Sequence, residues 1–249
     1  MSQNITVTGM ILSATPIGEY DRRVVILTKE RGKISAFAKS ARRQNSVLMG
    51  MTNPFTFGEF TLYEGRTSYT LVQANISNYF MELSSDFEGA YYGFYFMEFA
   101  DYYAREYNDE TQALKLLYQT LRALTSKRIP YELIRCVFEL KMLVINGEYP
   151  EVFQCSSCGS KEGLSGFHSK NRGVLCSGCK YVIGDGIALD NSAVYALQYI
   201  VSSPIEKLYT FTVSDTVLSQ LQKIMKQYLS MYVDKKFKSL EILETVGIQ

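Results

Sequence analysis

The chain has 249 residues, 47% of them hydrophobic and 20% charged, and a formal net charge of +1, which is enough apolar material for a sizeable core shared among two or three small domains. Its opening, MSQNITVTGM, has neither the basic nor the apolar stretch of a secretion signal, and no run of about 18 uncharged apolar residues offers a membrane span. A cytoplasmic protein is expected, and in that reducing compartment an odd count of five cysteines does not read as a disulfide framework.

Residues 1–80 hold five segments of strand character, at 5–12, 23–29, 33–39, 54–64 and 68–75. They are rich in β-branched and aromatic residues and are separated by turns such as ERGK and EGRTS. The gap after the third, residues 40–53, is longer than a hairpin loop. Five strands with one longer insertion after the third predict an OB-type barrel, a fold whose strand face and loops commonly bind single-stranded nucleic acid; an SH3-like barrel fits the same strand count.

Charge is segregated along the chain. Between Arg22 and Arg43 stand eight bases (Arg22, Arg23, Lys29, Arg31, Lys33, Lys39, Arg42, Arg43) and one acid, Glu30, whereas between Met81 and Glu110 there are eight acids and only Arg105. The basic segment points to a polyanionic partner, with Arg22, Arg23, Lys33, Lys39, Arg42 and Arg43 as the candidate nucleic-acid-binding residues.

Beyond residue 80 the pattern turns helical, over 84–107, 111–127, 129–150, 190–203 and 214–237. Pro130 stands near the start of the third and Gly147 past its apolar run. In the first of these helices Phe87, Tyr91, Phe94, Tyr95, Phe99 and Tyr102 recur at helical spacing, which predicts core packing in preference to a base-stacking platform. Cys136, in the third, reads as a small buried hydrophobe.

The other four cysteines form two C-x-x-C pairs, Cys155/Cys158 and Cys176/Cys179, separated by 17 residues. A redox dithiol of the thioredoxin kind needs a single pair at a helix start in a βαβ unit, whereas these pairs read as Gly/Ser-rich loops. Their spacing suits one four-thiolate structural zinc, with a hairpin between the pairs and Gly159 and Gly178 in the tight turns that aim backbone N–H groups at sulfur. A closed set of four thiolates leaves no position for water. The only histidine, His168, lies between the pairs and reads as an exposed loop residue; there is no phosphate-binding loop. No catalytic residues and no small-molecule substrate are expected.

The segment GMILSATPIGEYDRRVVILTKERGKISAFAKSARRQNSVLMGMTNPFTFGEFTLYEG (9–65), then FELKMLVINGEYPEVFQCSSCG (138–159) and GVLCSGC (173–179), resembles the bacterial RecO family of recombination mediators over nearly the whole chain. The resemblance implies an α+β multidomain protein: an OB domain at 1–80 and a helical domain at 81–249, interrupted by a zinc-binding module at 150–183. It also implies a nucleoid-associated, non-enzymatic DNA-repair protein that binds single- and double-stranded DNA and anneals complementary strands. Such a protein works with RecR and helps load RecA onto DNA coated by single-stranded-DNA-binding protein. The acidic helical face would then repel DNA and stay open to protein partners. Ser40 departs from the family pattern, which usually has glycine there, and serine tolerates positive φ less well. An RNA-binding OB and zinc-ribbon factor, or a protein-only assembly scaffold, are the alternatives that composition and spacing leave open.

Overall fold

The computed structural model describes residues 3–246. Five strands, β1 (Gln3–Ile17), β2 (Asp21–Thr28), β3 (Gly32–Ala38), β4 (Phe57–Glu64) and β5 (Tyr69–Asn78), pair in the order β1-β2-β3-β5-β4, and β1 also pairs with β4, so the sheet closes on itself. Neighbours are antiparallel except β3 and β5, which run parallel through Ala36/Tyr69 and Phe37/Thr70. That order, with a long β3–β4 connection carrying a one-turn helix, α1 (Leu48–Met51), is the OB-type arrangement expected of the α+β chain.

Alternation builds the barrel core. Val7, Ile11, Val24, Ile26, Ile34, Ala36, Phe60, Leu62 and Leu71 point inward and are buried together. β1 extends beyond the expected 5–12 because its two halves serve different neighbours: Gln3–Met10 pair with β4 and Gly9–Ile17 with β2, with a bulge between Ile11 and Ser13. At the changeover Gly9 faces Thr28 on one side and Gly58 on the other. A Cβ on Gly9 would lie 2.5 Å from the Leu27 carbonyl oxygen, and one on Gly58 would lie 2.2 Å from that of Asn75. Only glycine permits backbones that close.

Two helices pack with the barrel. α2 (Phe87–Tyr103) starts at Asp86, whose carboxylate accepts from Gly89 N–H, and buries Tyr92, Tyr95, Phe96 and Phe99. Its aromatic stripe is core packing at Tyr95 and Phe99, while Phe87 at the helix start is 54% exposed. α3 (Thr111–Ser126) places Tyr118 4.6 Å from Phe57 and 5.5 Å from Phe80, ring centre to ring centre.

The chain then builds a second compact unit, Ser126–Lys236. α4 (Tyr131–Ile145) follows Pro130 as expected and ends before Gly147, at φ +75°. β6 (Leu164–His168) and β7 (Gly173–Cys176) form the expected hairpin, and α5 (Ser177–Ile183) and β8 (Ile187–Ala188) complete a three-stranded sheet with one helix. α6 (Asn191–Ser202) and α7 (Asp215–Leu229) are capped by Asp190 and Ser214. α7 stops at Leu229, well short of residue 237, where the chain tightens into turns with Met231 N–H donating to the Tyr228 carbonyl and Tyr232 N–H to that of Leu229. Within this unit Lys141 is 8% exposed and donates to the carbonyls of Ile200, Val201 and Ser203, a cation on the C-terminal end of α6.

The last helix, α8 (Lys238–Thr245), returns to the first unit. Phe237 packs on Tyr95 and Phe99 at 5.3 and 5.4 Å, and Ser239 donates to Glu98 at 2.8 Å. The residues through Thr125 and those from Phe237 therefore make one unit, into which the other is inserted in sequence. Among the described residues, no helix is long and apolar enough to cross a membrane. Because backbone, not side chain, fills the space beside Gly58, Gly58→Ala is expected to cost about 2 kcal/mol or more and to lower the melting temperature by about 5 °C; a thermal melt that matches wild type would show that the barrel yields at this corner.

Candidate nucleic-acid interface and metal centre

Strand parity sorts the basic residues of the barrel. Arg23 faces Phe37 across the β2–β3 ladder, Val25 faces Ser35 and Leu27 faces Lys33, so Arg23, Lys33, Ser35 and Phe37 share the outer face. Arg22, one residue earlier, points the other way. Its guanidinium donates to the Met49 carbonyl, Thr52 Oγ1 and Asn53 Oδ1 at 3.2, 2.9 and 2.9 Å and thereby fastens the β3–β4 connection.

On the outer face a cleft of about 460 Å³ is walled by Arg23, Lys33 and Phe37 from β2 and β3, by Arg31 of the turn between them, by the β4–β5 turn with Arg66, and by Glu106 and Tyr107. Its charges are partly spent. Lys33 donates to the Asp101 carbonyl at 2.7 Å and pairs with the Asp101 carboxylate at 3.1 Å, and Arg31 pairs with Glu64 at 3.4 Å. Tyr69 donates to the same Glu64, and burial followed by that carboxylate pushes its hydroxyl up to about 12, so it stays a donor. The exposed Arg23 side chain donates to Ser35 Oγ at 2.7 Å, and Arg66 is exposed on its turn. Phe37 is 39% exposed beside them.

A second basic group stands on the turn after β3. Lys39, Arg42 and Arg43 are exposed. The turn is docked on the β1–β2 loop: Ser40 N–H donates to Asp21 at 2.7 Å, Arg42 N–H to the Tyr20 carbonyl and the Arg42 side chain to the Gly18 carbonyl, and the Arg43 guanidinium lies 4.9 Å from the centre of the Tyr20 ring. Ser40 takes the left-handed φ of +55°, the conformation for which glycine is suited.

The structure thus brings Arg23, Lys39, Arg42 and Arg43 to solvent, and it engages Arg22 and Lys33 with the protein itself. Sequence reasoning missed Phe37, Arg66 and Tyr20. Phe37 was legible, since it lies two and four residues from Ser35 and Lys33 on one strand face; Arg66 was a lone base in a turn and gave no signal.

In the second unit the four cysteine sulfurs converge, all within 4.8 Å of one another, with Cys158 and Cys176 at 3.7 Å. Four bonds of about 2.3 Å in a tetrahedron place sulfurs about 3.8 Å apart, so the set fits one cation. The first pair lies in a loop where Gly159, at φ +76°, turns the chain and donates to the Cys155 carbonyl. The second pair is no loop: Cys176 ends β7 and precedes α5, which carries Gly178 and Cys179. Burial raises the Cys155 thiol, but backbone N–H groups of Cys176, Cys158 and Ser157 outweigh it and hold it at about 6. Cys179 is lowered by the Ser157 hydroxyl, yet the thiols of Cys158, Cys176 and Cys155 together push it up to about 12. Cys155 is thus held toward its thiolate by backbone N–H groups and Cys179 away from it by the crowding of sulfurs.

His168 ends β6, half-buried, with Nδ1 2.7 Å from Asn171 Oδ1; it belongs to the hairpin and not, as expected, to an exposed loop. Cys136 is buried and its thiol is pushed far up by that burial.

A closed five-stranded barrel of OB type with an arginine-and-aromatic outer face, joined in one chain to a helical unit whose four cysteines could hold one metal ion, defines the class of protein. The comparison with known families narrows the class. The family model for the N-terminal part of recombination protein O matches residues 1–80 and that for its C-terminal part matches residues 84–241. The chain is 32% identical to the DNA repair protein RecO of Alkaliphilus metalliredigens over 97% of its length and 99% of that protein. It is 32% identical to that of Acetivibrio thermocellus and 28% identical to that of Clostridium perfringens, each over 96% of both chains. The chain belongs to the RecO family, and the family's work is DNA repair and recombination.

Two outcomes are expected of the site. Cysteine-to-serine changes at 155, 158, 176 or 179 should each lower both metal content and melting temperature, while Cys136→Ala keeps the metal; elemental analysis should give about one zinc per chain, and a folded, metal-free preparation would refute this. Ser40→Gly relieves a left-handed serine at a smaller cost in chain entropy, a net gain of about 0.5–1 kcal/mol, visible as a rise of about 2 °C in melting temperature. A fall would mean that the turn needs the serine side chain.

Proposed function

We propose that the chain is a non-enzymatic recombination mediator that binds single- and double-stranded DNA on the outer barrel face and anneals complementary strands. By its family it acts with RecR to help load RecA onto DNA coated by single-stranded-DNA-binding protein, in the nucleoid-associated cytoplasm. The carrying observation is that Arg23, Arg66, Lys39, Arg42 and Arg43 are exposed in the same barrel domain as exposed Phe37 and Tyr20.

Arginine forks take phosphate oxygens in pairs without reading sequence, and exposed rings stack on bases of any identity. Such a face favours a pliable strand and holds it unpaired at its bases. Two strands whose phosphates are neutralised lose much of their mutual repulsion, so annealing needs no nucleotide. Zinc is the proposed occupant of the four-thiolate centre, with Cys155, Cys158, Cys176 and Cys179 as its ligands; it supplies cross-linking, because four protein ligands leave no place for water. The His168 ring is engaged with Asn171, and the Cys136 thiol is held protonated by burial, which supports a role without covalent chemistry.

Salt titration tests this reading. Arg42→Ala with Arg43→Ala, or Arg23→Ala with Arg66→Ala, should weaken binding to oligonucleotides of every sequence and flatten the slope of log K against log salt by about one to two units. Arg22→Ala should leave the slope alone and cost about 1–3 kcal/mol of stability, because three acceptors lose their donor. Equal slopes in all three proteins would place DNA elsewhere, and tighter binding of a matched RNA strand would favour the RNA-binding alternative.

A further inference from the structure

An apolar groove of about 600 Å³ lies in the first unit, between the β3–β4 connection, the end of β5 and the start of α2. Its surface is aromatic and partly bare. Met81 is 67% exposed, Phe87 54% and Tyr79 41%; the Phe55 ring packs tilted against Phe94 at 4.7 Å, and Phe87 against Tyr91 at the same distance. Large exposed side chains gathered on one groove are what a monomer avoids unless another molecule covers them. The backbone adds to this, since Phe55 and Phe80, both lining the groove, hold φ of +72° and +49°. Aromatic residues in the left-handed region cost about 1–2 kcal/mol each, and such outliers gather at binding sites.

The charge around the groove selects the occupant. Asp86 lines it, and Glu82 is exposed between the lining residues Met81 and Leu83. No lysine or arginine is among the lining residues, and from Met81 to Ala104 the chain has five acids and no base. Nucleic acid and acidic peptides are repelled there, whereas a cationic segment is attracted across about 8 Å of physiological saline. We propose that this groove is a docking site for a partner-protein segment that carries apolar anchors flanked by lysine or arginine. Its anchors cover Met81 and Phe87, and its basic flanks pair with Glu82 and Asp86. Methionine at the rim lets the surface repack around anchors of differing shape. The groove is separate from the arginine face, so both are open to be filled in one chain.

The test uses the full chain and a fluorescent model helix of leucine and lysine, about 18 residues long so that it holds its fold, beside a leucine–glutamate counterpart. The lysine helix should bind, the glutamate helix should bind at least about tenfold more weakly, and Met81→Asp or Phe87→Asp should each weaken the lysine helix about tenfold, a loss of about 1.4 kcal/mol. Both side chains are at the surface, and circular dichroism checks that each variant is folded. Glu82→Lys should weaken the lysine helix about two- to fivefold. Arg42→Ala with Arg43→Ala should leave peptide binding unchanged, so failure of the DNA assignment and failure of this one are separable. Binding of the lysine helix that ignores Met81→Asp, Phe87→Asp and Glu82→Lys, or equal binding of both helices, overturns the proposal.

Discussion

A five-stranded sheet closes into a barrel only when every strand pairs along both edges, and here the closing contact is made by β1, whose first half turns to β4 and second half to β2. Its double pairing at Gly9, against Thr28 and Gly58, fixes the register of β2 and β4 at once. With β2 fixed, so is β3, and the parity of every residue on the two strands follows from the two-residue period. A slip of one residue would carry Arg23 and Phe37 into the barrel and put Val24 and Ala36 in water. The apolar core and the arginine face are therefore one constraint seen from two sides.

That constraint also marks what a linear reading of charge can and cannot deliver. The strands, the long β3–β4 connection, five of the helices and the cysteine hairpin were all legible, because each rests on local periodicity or on ligand spacing. Adjacent arginines are a different matter. Arg22 and Arg23 look equivalent in sequence and face opposite ways in a strand, and Arg22 meets acceptors at Met49, Thr52 and Asn53 that are nearby only after the chain has folded. Lys33 is likewise taken by Asp101, 68 residues away. The helix opened by the second cysteine pair escaped notice because its seven residues are too short to show a helical period.

The segregation of charge along the chain takes on another sense in three dimensions. The basic segment and the acidic segment meet: Lys33 N–H donates to the Arg105 carbonyl, Tyr107 N–H donates to the Arg31 carbonyl, and Lys33 pairs with Asp101. Part of the opposite charge is therefore spent on holding the end of α2 against β3, and Glu106 comes to stand at the edge of the arginine cleft. A carboxylate there limits how much polyanion the cleft can take up, and the unspent cations lie on its rim and on the turn after β3. Weak, salt-sensitive and sequence-tolerant contacts are what the proposed annealing role would require, since strands must be released after they are joined.

The four-cysteine centre answers a different physical need. Residues 151–163 contain no helix and no named strand, and the sheet beside them has strands of only five, four and two residues. So little regular structure buries too little apolar surface to be stable alone. Two supports compensate. One is packing, as Phe167 meets Tyr228 of α7 at 5.7 Å and Gln198 of α6 donates to the Val152 carbonyl at 2.9 Å. The other is the convergence of four sulfurs, which links the loop at Cys155 to the start of α5 across the hairpin. A cation held there would suppress repulsion among the thiolates, and without one the packing would remain, so the module would loosen first at its cysteine end and last where Phe167 is buried.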